Sequence, residues 1–266
     1  MINLYTEKEI AIMARGGKIL AEIIRKIAEY VKPGVTTKYL DKVAEDLIFS
    51  YGAKPAFRGY NDYPAVLCAS INEEIVHAVP SERKLKQGDL LTLDLGIKFP
   101  ADGGASQEYC TDMAITIMVL DPTDRSGRTR GKIDKKLKKL IDVTEKSLEL
   151  AVKQCKPGNR LGDIGWAIQN YAEKKGFNVV RDLVGHGIGK NVHEEPEILN
   201  YGPSRGLGIK LEPGMVLAIE PMIIAGNWEI ERTEDRFGFR SKDRSISAHF
   251  EHTIAVTKKG AKVLTK

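Results

Sequence analysis

No run of apolar residues in this 266-residue chain approaches the roughly 20 needed to cross a bilayer, and the uninterrupted ones, such as Met215 to Ile219, are short. A membrane-spanning helix is therefore not expected, and no membrane partner. A secretory leader is not expected either, since Glu7, Lys8 and Glu9 precede any long apolar stretch. Cysteine is scarce. Cys68, Cys110 and Cys155 form no close-spaced pair, which argues against a zinc ribbon and a disulfide framework and places the chain in a reducing cytoplasm. Net charge is small as well: 41 Lys+Arg against 36 Asp+Glu give +5, too little to mark a nucleic-acid binder. What is present, 42% hydrophobic and 29% charged residues, is the composition of an ordered globular chain. One stretch is more basic than the rest: Arg125, Arg128, Arg130, Lys132, Lys135, Lys136, Lys138 and Lys139. It reads first as a solvated helix face with its lead-in loop, and second as a contact for an anionic surface such as ribosomal RNA.

The chain is written twice. Lys32-Pro33-Gly34 and Lys156-Pro157-Gly158 each open an amphipathic stretch ending at a glycine, and 52 − 32 and 176 − 156 are both 20. A helical pattern precedes each. The first runs from Thr6 to Val31, opened by a capping box of Thr6 and Glu9, with Ile10, Met13, Ile23 and Ile27 on its apolar stripe. The second runs from Ile133 to Val152, with Leu137, Leu140, Ile141, Thr144 and Leu148. Gly88 then leads into the strand pattern ending at Asp94, and Gly214 into the one ending at Glu220, each six residues on. Asp112 and Glu251 each stand before a β-branched run, and Val-His-x-x-Pro occurs at Val76-His77 and again at Val192-His193. The expected fold is α+β, with pseudo-twofold duplicated halves and a curved antiparallel sheet covered by helices. Residues 1–266 are expected to form a single domain of pseudo-repeats at about 1–120 and 131–266, joined through the loop from Asp121 to Gly131.

Asp94 and Glu220 interrupt otherwise apolar strands, where an ionised carboxylate is costly unless paired or bound to metal. With Asp112 and Glu251 they make four carboxylates converging on one axis, whose mutual repulsion asks for one divalent cation or two. His186, in Gly185-His186-Gly187-Ile188-Gly189, is flanked by glycines that let backbone approach closely and leave the imidazole unshielded. Oxygen-rich ligands with one imidazole favour Mn, Fe or Co and remain compatible with Zn. Two cations sharing carboxylates serve hydrolysis at a carbonyl or phosphoryl centre.

The segments Leu93-Asp94-Leu95-Gly96, Thr111-Asp112-Met113, Gly185 to Gly189, Ala218-Ile219-Glu220-Pro221 and Phe250-Glu251-His252-Thr253 resemble the ligand motifs of type I methionine aminopeptidases. The resemblance covers essentially the whole chain, through Gly59-Tyr60-Asn61-Asp62-Tyr63-Pro64, Ser70-Ile71-Asn72-Glu73 and Lys242-Asp243-Arg244-Ser245. It implies the pita-bread fold of that family and removal of the initiator methionine from nascent chains with a small second residue. By resemblance, Asp94 ligates one metal, Asp112 and Glu251 bridge two, and His186 and Glu220 hold the other. Glu220 also moves protons for the attacking water. His77 contacts the scissile amide and the tetrahedral intermediate, and His193 the substrate carbonyl. Tyr60, Tyr63, Cys68, Val192 and Phe237, with Phe57 as a wall, line the methionine pocket, and Asn72 and Ser247 fall where the family binds a monovalent cation. Asp94 and Asp112 stand 112 − 94 = 18 apart, longer than usual in the family, and the extra residues lie between Phe99 and Cys110 as a longer hairpin loop. The expected protein is a monomeric enzyme acting on nascent N-termini, with ribosome contact through 125–139 as an addition. An X-Pro peptidase is the enzyme alternative, although those relatives carry a domain ahead of the catalytic part and here the repeat begins close to Met1. A non-catalytic binding protein on the same scaffold is the other, although such relatives lose metal ligands and all five are present.

Overall fold

The capping box written into Thr6 and Glu9 forms. Thr6 Oγ1 accepts the Glu9 N–H at 3.3 Å, and the Glu9 carboxylate accepts the Thr6 N–H at 2.8 Å, opening helix α1 (Glu7–Glu29). The computed structural model describes residues 2–101, 106–121, 134–202 and 204–266. After α1 come α2 (Thr37–Ser50), β1 (Lys54–Pro55), a short 3-10 turn (Tyr60–Asp62), β2 (Leu67–Ile71), β3 (Glu74–Val76), β4 (Leu90–Phe99) and β5 (Tyr109–Met118). The second half follows with α3 (Lys135–Val152), α4 (Leu161–Lys174), β6 (Asn178–Val179), β7 (Val184–Gly187), β8 (Glu194–Leu199) and β9 (Val216–Ile219). It ends with β10 (Met222–Ile224), β11 (Ile230–Arg232), β12 (Phe239–Ser241), β13 (Ser247–His249), β14 (Glu251–Thr257) and β15 (Gly260–Val263). The helices match the expected ones to within two residues at the ends observed; Ile133 lies outside the described residues.

One antiparallel sheet runs β1-β4-β5-β14-β9-β7-β8, with β2 also on β4 and β15 on β14. Strands of both halves meet at β5 and β14, where Ala114 faces Glu251. Strand alternation then sorts the side chains. Leu91, Leu93, Leu95 and Ile97 of β4 pack with Leu20, Ile24, Ile27, Leu40 and Ile48 of α1 and α2. Leu217 and Ile219 of β9 and Ile254 of β14 pack with Leu140, Leu148, Ile164 and Ile168 of α3 and α4. Each such side chain, fully buried, contributes roughly 1.5–3 kcal/mol. The intervening positions, among them Asp94, Asp112 and Glu251, are left on the face away from the helices.

Matched glycine turns fix the register of the halves. Gly88 (φ +87°) and Gly214 (φ +101°) adopt backbone that favours glycine. Gly88 N–H donates to Val119 O and Val119 N–H to Asp89 O; Gly214 N–H donates to Val256 O and Val256 N–H to Met215 O. Asp94 and Glu220 are therefore equivalent, as read from sequence. Asp112 is not equivalent to Glu251, as the paired β-branched runs suggested. Counted back seven residues from Val119 and Val256, Asp112 corresponds to His249, and Ala114 to Glu251. The sequence pattern is two residues out because β-branched residues continue along both strands and offer no marker of register.

The hairpin between β4 and β5 stays paired to Phe99 and Tyr109; of the residues between them, 102–105 lie outside the described residues. At its base, Tyr109 donates from its hydroxyl to Glu9 at 2.9 Å and Phe99 abuts Gly16, so this end lies over α1. The connection at 122–133, including Arg125, Arg128, Arg130 and Lys132, is also outside the described residues. Lys135, Lys136, Lys138 and Lys139 sit in the first turns of α3, where Lys139 donates to Lys175 O at 2.8 Å and lies over the Phe177 ring.

Candidate metal centre and substrate pocket

A cavity of about 130 Å³ opens on the sheet face that the helices leave free. Asp94, Asp112, Glu220, Glu251, His77, His186 and His193 line it together with Phe57, Tyr60, Asn61, Tyr63, Cys68 and Phe237. All five expected ligand residues thus meet in one place. β4 and β5 deliver Asp94 and Asp112, β7 delivers His186, and Glu220 and Glu251 stand at the end of β9 and the start of β14. The glycines around His186 do what their size suggests. A Cβ at Gly185 would sit 2.5 Å from Ala218 O, and one at Gly187 would collide with Glu195 O. Only a bare backbone lets β7 lie this close to its neighbours.

The electrostatics are those of a site built for cations. Asp94, Asp112, Glu251 and His186 are all under 10% exposed. Burial pushes the carboxyls of Asp94, Glu220 and Glu251 well above the usual range, and neighbouring carboxylates push them further. Asp112 is raised too, chiefly by burial. Asp94 Oδ1 and Glu251 Oε1 are buried with no hydrogen-bond partner, and an orphaned carboxylate oxygen is a ligand atom in search of a cation. Atoms of Asp112, His186 and Glu251 lie within 4.8 Å of one another, close enough to share an ion. His186 Nε2 stands 3.4 Å from Glu220 Oε1, and its Nδ1 is 2.9 Å from Gly187 O, the hydrogen bond that orients a ligating imidazole. The donor set therefore fits divalent metal.

Three neutral imidazoles surround the carboxylates. Burial lowers His186 to about 3 and His77 to about 4, each helped by the nearby His193, and burial lowers His193 as well. His193 packs 4.1 Å from His186 and 5.1 Å from Tyr60, ring centre to ring centre. His77 holds φ +58°, strained backbone for a residue with a Cβ, of the kind that persists where function requires it. Beyond them Tyr63 and Phe237 meet edge to face at 5.6 Å, with Tyr63 Oη 3.0 Å from Leu67 O and 3.2 Å from Ala78 O. Cys68 is paired across the ladder with Asp94, so one strand step joins the apolar pocket to the carboxylates.

Val192 departs from expectation. It is buried with Tyr5, Ile188 and Val216 and does not line the cavity, because Val192 and His193 are adjacent and point apart. No described residue from Phe99 to Cys110 reaches the cavity. Ser247 Oγ lies 3.1 Å from both Asn72 O and Glu74 O, which groups three oxygens beside β13. Asn61 and His249 were not foreseen. Asn61 is a wall residue without a sequence signal. His249, 3.7 Å from Glu220 Oε2, had one: it stands two residues before Glu251.

Residues 11–258 match the model of metallopeptidase family M24. The chain is 42% identical to methionine aminopeptidase 1 of Bacillus subtilis over 266 residues, covering all of both. It is similar to the crystal structure of methionine aminopeptidase from Rickettsia prowazekii, with a TM-score of 0.91, 39% identity and full coverage of both chains. The prolidase of Pyrococcus horikoshii gives 0.74 at 25% identity, with all of this chain matched but only 64% of the prolidase.

Proposed function

The chain belongs to metallopeptidase family M24, and from that premise we propose that it removes the N-terminal methionine from nascent proteins and peptides whose second residue is small. The observation that carries this reading is the continuity of the cavity, which runs from the four carboxylates and His186 into a wall of aromatic rings and the Cys68 thiol. Aromatic and sulfur groups suit an unbranched thioether. Full-length relatives named methionine aminopeptidase support it further, and the shorter coverage of a prolidase ranks the X-Pro reading below it.

Asp94 would hold one cation, Asp112 and Glu251 would be shared, and His186 and Glu220 would complete the second position. Two divalent cations, Mn, Fe or Co in preference to Zn, supply Lewis-acid polarisation and a nucleophilic hydroxide at neutral pH when bound. Glu220 takes the proton released as the nucleophile attacks the methionyl carbonyl carbon, and delivers it to the nitrogen as the C–N bond breaks. A neutral imidazole carries one N–H. His193 donates its own to the scissile carbonyl oxygen, and His77 contacts the scissile amide and donates its one N–H to the developing oxyanion. Phe57, Tyr60, Tyr63, Cys68 and Phe237 enclose the methionine side chain and exclude water.

The remaining assignments belong to the same proposal. The enzyme is a cytoplasmic monomer of type I and a single catalytic domain; no described helix is long and apolar enough to cross a membrane, and all three cysteines are free and buried. The oxygens of Asn72, Glu74 and Ser247 receive a monovalent cation. Ribosome contact runs through 125–139, with Lys135, Lys136 and Lys138 as its described part, since Lys139 is engaged within the fold. Neutralising those three lysines leaves peptide cleavage unchanged and weakens ribosome co-sedimentation at low salt; salt-independent, unchanged co-sedimentation removes that contact.

The decisive experiment strips the protein of metal, restores Mn, Fe or Co, and measures free methionine from Met-Ala-Ser and from Met-Pro peptides. Metal-dependent methionine release is expected. A folded protein releasing none under any metal overturns the reading and leaves the scaffold alternative.

A further inference from the structure

His249 is 1% exposed, and neither of its ring nitrogens has a hydrogen-bond partner. A buried, unpaired imidazole is unfavourable, and its presence asks for a reason. Its surroundings supply one. Thr253 Oγ1 grips the backbone of Asp112, accepting its N–H at 2.9 Å and donating to its carbonyl at 2.8 Å. Thr116 Oγ1 grips the backbone of His249 in the same way, at 2.8 Å and 2.8 Å. The pseudo-twofold axis therefore exchanges Asp112 with His249, just as it exchanges Asp94 with Glu220. Where the first half sets two carboxylates side by side, the second sets a carboxylate beside an imidazole. His249 Nε2 lies 3.7 Å from Glu220 Oε2, while His186 Nε2 lies 3.4 Å from Glu220 Oε1. The first distance is a close contact that a shift of under about 1 Å turns into a hydrogen bond.

We propose that His249 is a positioning residue that holds Glu220 from behind, its Nε2–H directed at Oε2 so that Oε1 stays turned to the cavity beside His186. It does not line the cavity and touches no substrate. It acts through Glu220, as outer groups fix ligating carboxylates elsewhere. The inference rests on the role given to Glu220 above.

The test compares His249→Met with His249→Gln, similar in length, the second alone carrying an N–H. Wild-type methionine release is measured alongside, so that failure of the proposed activity shows in the wild type and failure of this inference only in the variants. In His249→Met, kcat is expected to fall about 10- to 100-fold with KM changed by less than about twofold, and calorimetric Mn(II) affinity to weaken about tenfold. His249→Gln is expected to recover most of both. Should His249→Met not fold, His249→Leu takes its place in the comparison. Equal performance of the two variants, whether both like wild type or both equally impaired, would overturn the proposal.

Discussion

The two halves of the molecule share a backbone and divide the chemistry. At equivalent places the first half carries Asp94, Asp112, Ala114 and Ser70, and the second carries Glu220, His249, Glu251 and His186. The last pair follows from the ladders, since Ser70 faces Thr92 and His186 faces Ala218, two residues before Asp94 and Glu220. His77 and His193 keep the same spacing from them. Duplication therefore supplied the positions, and substitution made each half different: two short carboxylates on one side, and on the other two longer ones, of which Glu220 has an imidazole in front and another behind. The aromatic pocket is more unequal still, with Phe57, Tyr60, Tyr63 and Cys68 from the first half and Phe237 from the second. A symmetric frame thus holds an asymmetric site, as a reaction that treats the two sides of a peptide bond differently requires.

The largest expected break in this comparison comes from truncating one equivalent pair. His186→Ala should lower methionine release by more than about 100-fold, whereas Ser70→Ala should leave it within about twofold, both read as kcat/KM on one peptide. Similar losses in both would mean that the halves are functionally interchangeable.

Much of this was legible in the sequence. The turn at Lys-Pro-Gly, the Thr6 capping box and the carboxylates inside apolar strands are local signals, each forced by backbone geometry or by the cost of burying charge. The five proposed ligands and both Val-His-x-x-Pro histidines were found by that logic and by family resemblance. What escaped it was register. Asp112 was set against Glu251 because both precede β-branched runs, and only the hydrogen bonds at Val119 and Val256 reveal the offset of two. His249 escaped with it, since a histidine beside another motif looks like part of that motif. Family resemblance puts Val192 in the pocket lining, but a position beside His193 in sequence does not say which way a side chain points.

A smaller effect separates the site from the frame that carries it. All four carboxyls have raised pKa values in the folded chain, so the folded state binds more protons than the unfolded one above the ordinary carboxylate range. Stability of the metal-stripped protein should then fall as pH rises through that interval, by several degrees in Tm between about pH 4 and 7. Saturating Mn(II) should cancel the slope, and Asp112→Asn should flatten it while removing activity. A stripped protein whose Tm rises over the same range would contradict the electrostatic account.

The smallest effect lies in the frame itself. Thr6→Ala should cost about 1 kcal/mol in urea unfolding. The Glu9 carboxyl is lowered below 4.5, first by its hydrogen bond to the Thr6 backbone, so its contribution is complete above that pH and is lost as pH falls through the lowered value. The mutation should leave kcat unchanged. A change in kcat would show that helix α1 and the site are coupled.

The central claim is that unequal halves complete a pair of cation positions around shared carboxylates. Electron paramagnetic resonance of the metal-stripped protein titrated with Mn(II) tests it most directly. The account predicts an exchange-coupled pair in the wild type that reduces to an isolated ion in His186→Ala. Isolated-ion spectra at every loading of the wild type would contradict it.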